Sequence, residues 1–180
     1  MKDMMLLVEP LIPALRRYAR SLMRADAAGA DDLVQDCLER AITRWHQRRT
    51  DGDARTWLFS ILHNLAVNRM RQRARRGRDV PIEDAAEAAT ARPPTQEAGL
   101  RHRELLQALD QLPEEQRSVL LLVSVEDLSY AEAAKVLDVP IGTVMSRLSR
   151  GRERLLRIME DAEASGRPAT LRPPSLRSVK

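Results

Sequence analysis

The side chains best suited to chemistry in this sequence are the arginines and hydroxyl residues between Thr143 and Arg157. Five arginines and a single acid, Glu153, occupy this range, whereas a helix that merely faces solvent usually mixes the two signs. Arginine binds phosphate oxygens and guanine edges, and hydroxyl groups bind either, so the composition predicts contact with duplex DNA. The residues predicted for that contact are Thr143, Met145, Ser146, Arg147, Ser149, Arg150 and Arg152.

A helix-turn-helix is predicted to position these residues. Ser129 and Glu132 form a capping-box pattern that begins a first short helix. Pro140 and Gly142 are predicted to break that helix, because proline lacks an N–H donor and glycine permits unusual backbone angles. Thr143 is the predicted N-cap of the second helix, whose inner side carries Val144, Leu148 and Leu155. This arrangement would fill a major groove; the alternative is a helical hairpin whose polar face is simply solvated.

A second basic surface is predicted on an earlier helix that runs out into the arginine-rich segment RMRQRARRGR. The apolar stripe of this helix consists of Trp57, Leu58, Ile61, Leu62, Leu65 and Met70. The opposite side is predicted to carry His63, Asn64, Asn68, Arg71 and Arg75. Amides bond to base edges and arginines bind phosphates, so this side is a second candidate for contact with nucleic acid. The alternative is an amphipathic helix with a basic end.

Two further helices are predicted before that one. The first is marked by Leu7, Leu11, Leu15, Tyr18 and Leu22, with Pro10 and Pro13 near its first turn. The second is predicted to be capped by Asp31 or Asp32, and Cys37 on its apolar stripe is interpreted as a small core residue. Its outward side has mixed charge, which suits a protein partner better than DNA. The residues predicted for that partner are Asp32, Gln35, Asp36, Glu39 and Arg40.

The composition predicts an all-α protein, because Ala, Leu, Arg and Glu dominate and β-branched runs are nearly absent. No apolar run approaches the roughly 20 residues of a membrane span, and the start lacks a signal-peptide pattern, so a cytoplasmic location is expected. One cysteine and three scattered histidines predict neither a disulfide nor a metal site. No nucleophile–base arrangement or Gly-rich phosphate loop occurs, so we expect no enzyme, cofactor or small-molecule substrate.

The net charge of +4 is distributed unevenly, which suggests a division into domains. Residues 1–78 hold 16 Lys and Arg against 9 acids, whereas residues 79–98 hold one Arg, five acids and three prolines. We therefore predict a helical domain at 1–78 and a flexible acidic linker at 79–98. A second small helical domain, with the helix-turn-helix, is predicted at 99–160, followed by a disordered basic tail at 161–180. Two separate basic surfaces suggest two contacts with one polyanion.

Four segments occur in order over roughly residues 5 to 160: DDLVQDCLERA, ARTWLFSILHNLAVNRMRQRARR, LPEEQRSVLLLVSVEDLSYAEAAKVLDV and PIGTVMSRLSRGRERLL. Together they resemble the extracytoplasmic-function (ECF) sigma factors of bacterial RNA polymerase. The resemblance implies a factor that binds core polymerase, directs it to promoter DNA and initiates transcription. Two alternatives stay open: a helix-turn-helix regulator that binds operators by itself, and a sigma-like adaptor that binds only proteins, for instance as a decoy for an anti-sigma factor.

The resemblance also implies roles for the candidate residues. The mixed-charge helix with Gln35, Asp36 and Glu39 would grip the β′ clamp of the polymerase, and the β flap would be a further contact. The following helix would capture the −10 element as a melted single strand, with Asn64 near a flipped base and Trp57 seating the helix. The family further implies a path for the linker towards the RNA exit channel, and an anti-sigma factor as a partner.

In the helix-turn-helix, the resemblance implies reading of the −35 duplex. Ser146, Ser149 and Arg150 match positions that face bases or backbone, and Arg147 and Arg152 match positions near phosphates. Two departures stand out. Residues 48–51 replace a loop aromatic that the family often carries, which points to a different −10 preference. Met145 occupies a position that is frequently Arg or Lys, which would weaken or shift −35 specificity by about 1–3 kcal/mol.

Overall fold

The structure is a computed structural model that describes residues 2–23, 26–48, 53–76 and 96–165. Its helices are α1 (Lys2–Val8), α2 (Ile12–Met23), α3 (Ala27–Arg44), α4 (Ala54–Arg76), α5 (Gln96–Asp110), α6 (Glu114–Leu120), α7 (Tyr130–Leu137) and α8 (Ile141–Ser165). Short 3₁₀ turns at Glu9–Leu11 and Trp45–Gln47 and a π-helical turn at Leu121–Val125 complete the order. The described ranges contain no strand, which confirms the predicted all-α class. None of the described helices is long and apolar enough to cross a membrane.

The opening segment is two helices joined by a 3₁₀ turn, where the sequence predicted one helix. Pro10 lies in that turn and Pro13 is the second residue of α2, at positions where a missing N–H donor costs little. Tyr18 and Leu22 are buried as predicted, whereas Leu7 is exposed on α1. The predicted helix is therefore interrupted by one 3₁₀ turn, and the chain continues as α2.

The N-cap of α3 is Asp26, so the prediction of Asp31 or Asp32 is wrong. The Asp26 carboxylate accepts a hydrogen bond from the Gly29 N–H at 2.8 Å, which satisfies one free donor of the first turn. A Cβ atom at residue 29 would collide with that carboxylate, so glycine is the residue that leaves room for the cap. Asp31 and Asp32 lie inside the helix and are exposed.

The helix-turn-helix is confirmed as α7 and α8, with corrections at the turn. Ser129 and Glu132 form the predicted capping box. The turn itself depends on Asp138, which is left-handed at φ 53°, and not on Gly142, which lies in α8. Helix α8 begins at Ile141, so Thr143 is not its N-cap: the Thr143 N–H already donates to the Pro140 carbonyl at 2.9 Å.

Among the described residues, one cluster of buried apolar side chains joins the N-terminal half of the molecule (α1–α4) to the C-terminal half (α5–α8). Helix α4 contacts α2, α3 and α7, and α2 also contacts α6. Cys37 lies inside this core, as predicted, and burial raises the pKa of its thiol to about 12. The halves are therefore packed against each other, an arrangement that the sequence did not indicate.

Polar contacts reinforce this junction. The Arg17 guanidinium on α2 binds both carboxylate oxygens of Glu126, at 2.8 and 2.6 Å, and the Glu126 side chain is only 1% exposed. Arg55 at the start of α4 donates to the Glu126 carbonyl. Arg117 on α6 is buried and donates to the Leu22 carbonyl at 3.2 Å. Charged residues far apart in sequence thus hold the two halves together.

Most of the predicted linker lies outside the described residues. Helix α5 begins at Gln96 and so includes the last three residues of the range 79–98. Helix α8 continues to Ser165, into the predicted tail at 161–180. Residues 77–95 and 166–180 lie outside the described part of the chain, as do residues 49–52 of the loop before α4. The boundaries of the two domains therefore stay predictions.

Candidate nucleic-acid interface

The outer face of α8 is the first candidate surface. The face exists because Val144 and Leu148 are buried and Leu155 packs against the core, which turns the other residues outwards. Four of the seven predicted contact residues are exposed: Met145, Ser149, Arg150 and Arg152. The cationic side chains on this face are the kind that bind phosphate oxygens.

The other three predicted residues are partly covered. The Arg147 guanidinium forms an ion pair with Glu115 of α6 at 2.9 Å. The Ser146 hydroxyl donates to the Thr143 carbonyl at 3.1 Å, inside the same helix, and Thr143 is half-buried. Arg147 is therefore held in place by a neighbouring helix, and its partner Glu115 was not found from the sequence because the two residues are 32 positions apart.

The outer side of α4 is the second candidate surface. Asn64, Asn68, Arg71 and Arg75 are exposed on it, as the helical spacing predicted. Trp57 is half-buried and packs edge-to-face against Trp45, with 5.9 Å between the ring centroids. This aromatic pair joins the first turn of α4 to the end of α3. Arg48, in the loop where the family often has an aromatic residue, stacks over the Trp45 ring at 4.7 Å.

His63 does not lie on that exposed side, so this part of the prediction is wrong. Its side chain is buried, and its Nδ1 atom is 3.1 Å from the Tyr18 hydroxyl. Burial lowers the pKa of His63 to about 4, because the charged imidazolium is poorly solvated there. His63 is thus a neutral residue of the core, and Phe59 and Ala66 on the same helix are buried with it.

A polar groove of about 430 Å³ runs between α3 and α4. It is lined by Leu33, Asp36, Arg40, Leu65, Asn68, Arg69, Arg71, Gln72 and Arg75. The groove brings Asp36 and Arg40, predicted for a protein partner, beside three residues predicted for nucleic acid. All five residues of the predicted protein-binding face of α3 are exposed, and the Gln35 amide donates to Glu39 at 3.2 Å.

Arg69 and Arg73 fix the basic end of α4 against the start of α3. Arg69 donates to the Gly29 carbonyl at 2.7 Å and pairs with Asp36 at 3.5 Å. Arg73 forms an ion pair with Asp26, the N-cap of α3. The pairing of these two arginines with α3 was not predicted, because their acceptors lie more than 30 positions earlier. The groove is therefore built from two helices that ion pairs hold in register.

The comparisons with known proteins agree with this geometry. The family model for sigma-70 region 4 matches residues 102–155, and the model for the sigma2 domain of PhyR matches residues 8–63. The ECF RNA polymerase sigma factor EcfG of Rhodopseudomonas palustris (strain TIE-1) is 38% identical over 164 residues, which cover 89% of this chain and 88% of EcfG. This chain belongs to the ECF sigma factors.

Two further relatives are similar to this sigma factor. The ECF sigma factor SigC of Mycobacterium tuberculosis (strain CDC 1551 / Oshkosh) is 33% identical, over 79% of this chain and 76% of SigC. The sigma factor RpoE from Bartonella quintana, solved in complex with the anti-sigma factor NepR, matches with a TM-score of 0.75 and 33% identity. That match covers 89% of this chain and 98% of the solved chain.

The matched ranges divide the candidate residues of the sigma factor. The region 4 model spans most of α5 and continues through the helix-turn-helix, so it includes the whole outer face of α8 from Thr143 to Arg152. The sigma2 model ends at residue 63 and therefore stops just before Asn64. The sigma2 match therefore does not include the exposed amides and arginines of α4.

Proposed function

We propose that this sigma factor binds core RNA polymerase and directs it to promoters that carry a −35 and a −10 element. The observation that carries the proposal is the exposed face of α8, where Arg150 and Arg152 stand beside Ser149 in a helix-turn-helix. A relative named as an RNA polymerase sigma factor over 89% of the chain supports it. In this function α8 enters the major groove of the −35 duplex and its arginines bind phosphates and base edges.

Helices α3 and α4 are proposed to act on the polymerase and on the −10 strand. The exposed, mixed-charge face of α3 suits the β′ clamp, because opposite charges on each partner fix their register. On α4, the Asn64 and Asn68 amides can bond to the edges of unpaired bases while Arg71 and Arg75 bind the backbone. The β flap is a further proposed contact of the C-terminal half.

The proposed function requires the two halves to separate. Elements named −35 and −10 lie about 25 base pairs apart, which is about 85 Å at ~3.4 Å per base pair. A compact chain of this length has a radius of gyration of about 16 Å. Since both halves share one core in this structure, a closed molecule cannot read both elements at once. Core polymerase is therefore proposed to bind the open form.

An anti-sigma factor is proposed as the other partner. The support is the sigma factor RpoE from Bartonella quintana, which was solved in complex with the anti-sigma factor NepR and matches most of this chain. The proposed site of action is the cytoplasm, where core polymerase and promoter DNA are found.

Run-off transcription tests the proposal directly. Purified core polymerase would be incubated with a pooled promoter library, with and without the full-length protein. Factor-dependent transcripts that share two spaced elements are expected. Binding to core polymerase without any initiation would favour a sigma-like adaptor, and retention of duplexes without polymerase would favour an independent regulator. Either result would overturn the proposal.

Two arginine variants of α8 test whether transcription depends on Arg150 itself or on the positive charge of the helix in general. Arg150→Ala removes an exposed cation from the face proposed to read the −35 element, and transcription that depends on this element is expected to fall while polymerase binding stays intact. Arg157→Ala is the matched control, because Arg157 is exposed about two turns beyond Arg150 on the same helix and pairs with Glu153 at 2.7 Å. If both variants supported transcription equally well, Arg150 would not be one of the residues that read the −35 element.

Two aspartates of α3 form a matched pair for polymerase binding. Asp36 and Asp31 are each 50% exposed, and each pairs with an arginine, Asp36 with Arg69 at 3.5 Å and Asp31 with Arg20 at 3.3 Å. Only Asp36 lies on the face proposed to bind the polymerase. Asp36→Arg is expected to abolish pull-down of core polymerase, and Asp31→Arg to preserve it. Normal pull-down with Asp36→Arg would refute this partner face.

A further inference from the structure

The first two turns of α8 present apolar side chains that the rest of the fold leaves uncovered. Ile141 is 46% exposed and Met145 is 48% exposed. They are four residues apart, so they lie one turn apart on the same side of the helix. Gly142 lies between them, and a Cβ atom at that position would meet nothing within 4 Å. The start of α8 therefore offers an open, uncharged surface.

The next face of the same helix is cationic. Arg150 and Arg154 are exposed, and neither forms an ion pair with another residue in the described ranges. A polyanion is the partner that unpaired arginines on one helix favour. Two apolar side chains are also far fewer than the 20 or so residues per side of a stable protein interface. Charge and size therefore both favour DNA as the occupant of this surface.

Base edges in the major groove carry one apolar group, the C5-methyl of thymine. The N-terminal residues of a recognition helix are the ones that reach base edges, and Ile141 and Met145 occupy those positions. The Met side chain is unbranched and flexible, so it adapts to a small apolar contact. We propose that Met145, assisted by Ile141, recognises thymine C5-methyl groups in the −35 duplex, an inference that rests on the proposed function.

Helical geometry predicts the spacing of these thymines. Four residues of an α-helix rise about 6 Å, at ~1.5 Å per residue. Two base-pair steps span about 6.8 Å, at ~3.4 Å each. Ile141 and Met145 are thus matched to methyl groups within about two base pairs of each other. A cation at position 145 would instead favour guanine or phosphate, so Met145 changes the base that is preferred.

Deoxyuridine provides the test, because it differs from thymidine only by the missing methyl group. The full-length protein with core polymerase would be assayed on a promoter found by run-off transcription, with each −35 thymine replaced in turn. At one or two positions, binding and initiation are expected to fall about fourfold, which corresponds to ~0.8 kcal/mol for one buried methyl-sized group. Met145→Ala should bind the thymine and deoxyuridine promoters equally at one of these positions.

A matched control keeps the interpretation specific. Leu156 is an exposed apolar residue of α8, three turns beyond Met145, and Leu156→Ala should discriminate thymine from deoxyuridine as the wild type does. The inference is overturned if the wild type is insensitive to every methyl group, or if Met145→Ala and Ile141→Ala both discriminate normally. A −35 element without thymine on either strand would also overturn it. Absence of initiation on all promoters is a different result, because it refutes the proposed function itself.

Discussion

Helices α4 and α8 are both long and arginine-rich, but they are held in different ways. Helix α4 is packed on several sides, by α2, α3 and α7, and buries even its histidine. Helix α8 also contacts three helices, α5, α6 and α7, but it buries a single stripe that includes Val144 and Leu148. Arg69 and Arg73 of α4 are tied to α3, whereas Arg150 of α8 faces solvent. The first helix thus presents a preformed groove, and the second presents exposed side chains, apart from Arg147, which pairs with Glu115.

Truncation of one leucine in each helix should show this difference most strongly. Leu62 of α4 is completely buried, and Leu156 of α8 is exposed. Leu62→Ala is expected to lower the free energy of unfolding by about 3 kcal/mol, because it loses transfer energy and leaves a cavity. Leu156→Ala should change it by less than about 0.5 kcal/mol. Urea denaturation followed by circular dichroism measures both, and equal losses would contradict the complete burial of Leu62.

The buried histidine of α4 predicts a pH dependence. Burial lowers the pKa of His63 to about 4, below its ordinary value near 6.5. The folded state therefore favours neutral His63, and this contribution to stability is complete above pH 6.5 and declines as the pH falls towards 4. Between pH 7 and pH 4.5 the free energy of unfolding of the wild type should fall by about 2 kcal/mol more than that of His63→Gln.

Urea denaturation at pH 7 and pH 4.5 measures this difference, and the Tyr18 hydroxyl makes Gln a suitable replacement because its amide can still hydrogen-bond there. His46 is the control position, since it is exposed in the turn after α3. His46→Gln should lose stability on acidification as the wild type does. If the wild type and His63→Gln had parallel pH profiles, folding would not lower the pKa of His63.

The difference between the helices also explains what the sequence could predict. The capping box at Ser129 and the buried stripe of α8 follow from local spacing, so both were found. His63 was misplaced because its burial depends on Tyr18 in another helix, 45 positions earlier. Asp26 was missed as a cap because Asp31 and Asp32 are equally good capping residues. Two features distinguish Asp26: Gly29, a local signal three positions later that leaves room for the cap, and the ion pair with Arg73, which is not local because it spans 47 positions.

The junction between the halves was beyond prediction for the same reason. Glu126 is a charged residue in a short connection, and such residues are usually exposed. Its burial depends on Arg17, which lies 109 positions away. The candidate faces of α3, α4 and α8 could be predicted from helical periodicity alone, and most of their residues are exposed; His63 is buried, and Trp57, Thr143, Ser146 and Arg147 are partly covered. The groove between α3 and α4 could not be predicted in this way, because it depends on how the two helices pack against each other.

Two arginines of α2 test the junction that joins the α4 side to the α8 side. Arg17 and Arg20 are both about half exposed, but Arg17 binds the buried Glu126, whereas Arg20 binds the exposed Asp31 at 3.3 Å. Arg17→Ala is expected to cost about 1–2 kcal/mol, because it leaves a buried carboxylate without its cation. This is below the ~3–5 kcal/mol of a fully buried pair, since solvent screens Arg17.

Arg20→Ala is the control and should cost less than about 0.5 kcal/mol, as exposed ion pairs do. Urea denaturation gives both values under the same conditions. If the two variants were equally stable, Glu126 would have to be solvated, and the halves would not be closed in solution. A larger loss for Arg17→Ala would show that the ion pair with Glu126 holds the two basic helices together in the free protein.

The smallest effect concerns the anchoring of the α4 arginines. Burial opposes ionisation of Asp26, but the Gly29 N–H and the Arg73 guanidinium together outweigh it, so the pKa of Asp26 is lowered. The carboxylate therefore stabilises the fold above its unfolded pKa near 3.8, and this contribution is lost as the pH falls through the lower folded value. Asp26→Ala should cost about 1 kcal/mol at pH 7, the usual value of an N-cap.

Asp26→Asn separates the cap from the charge, because asparagine caps a helix as well as aspartate does. It should cost less than Asp26→Ala at pH 7, and the remaining loss is then the ion pair with Arg73. The corresponding pair on α8 is Glu153 with Arg157, four residues apart on an exposed face, and Glu153→Ala should cost only about 0.3–0.5 kcal/mol. If the Asp26 and Glu153 variants lost the same free energy of unfolding, the arginines of α4 would be no better anchored than those of α8. The groove between α3 and α4 would then form only on binding.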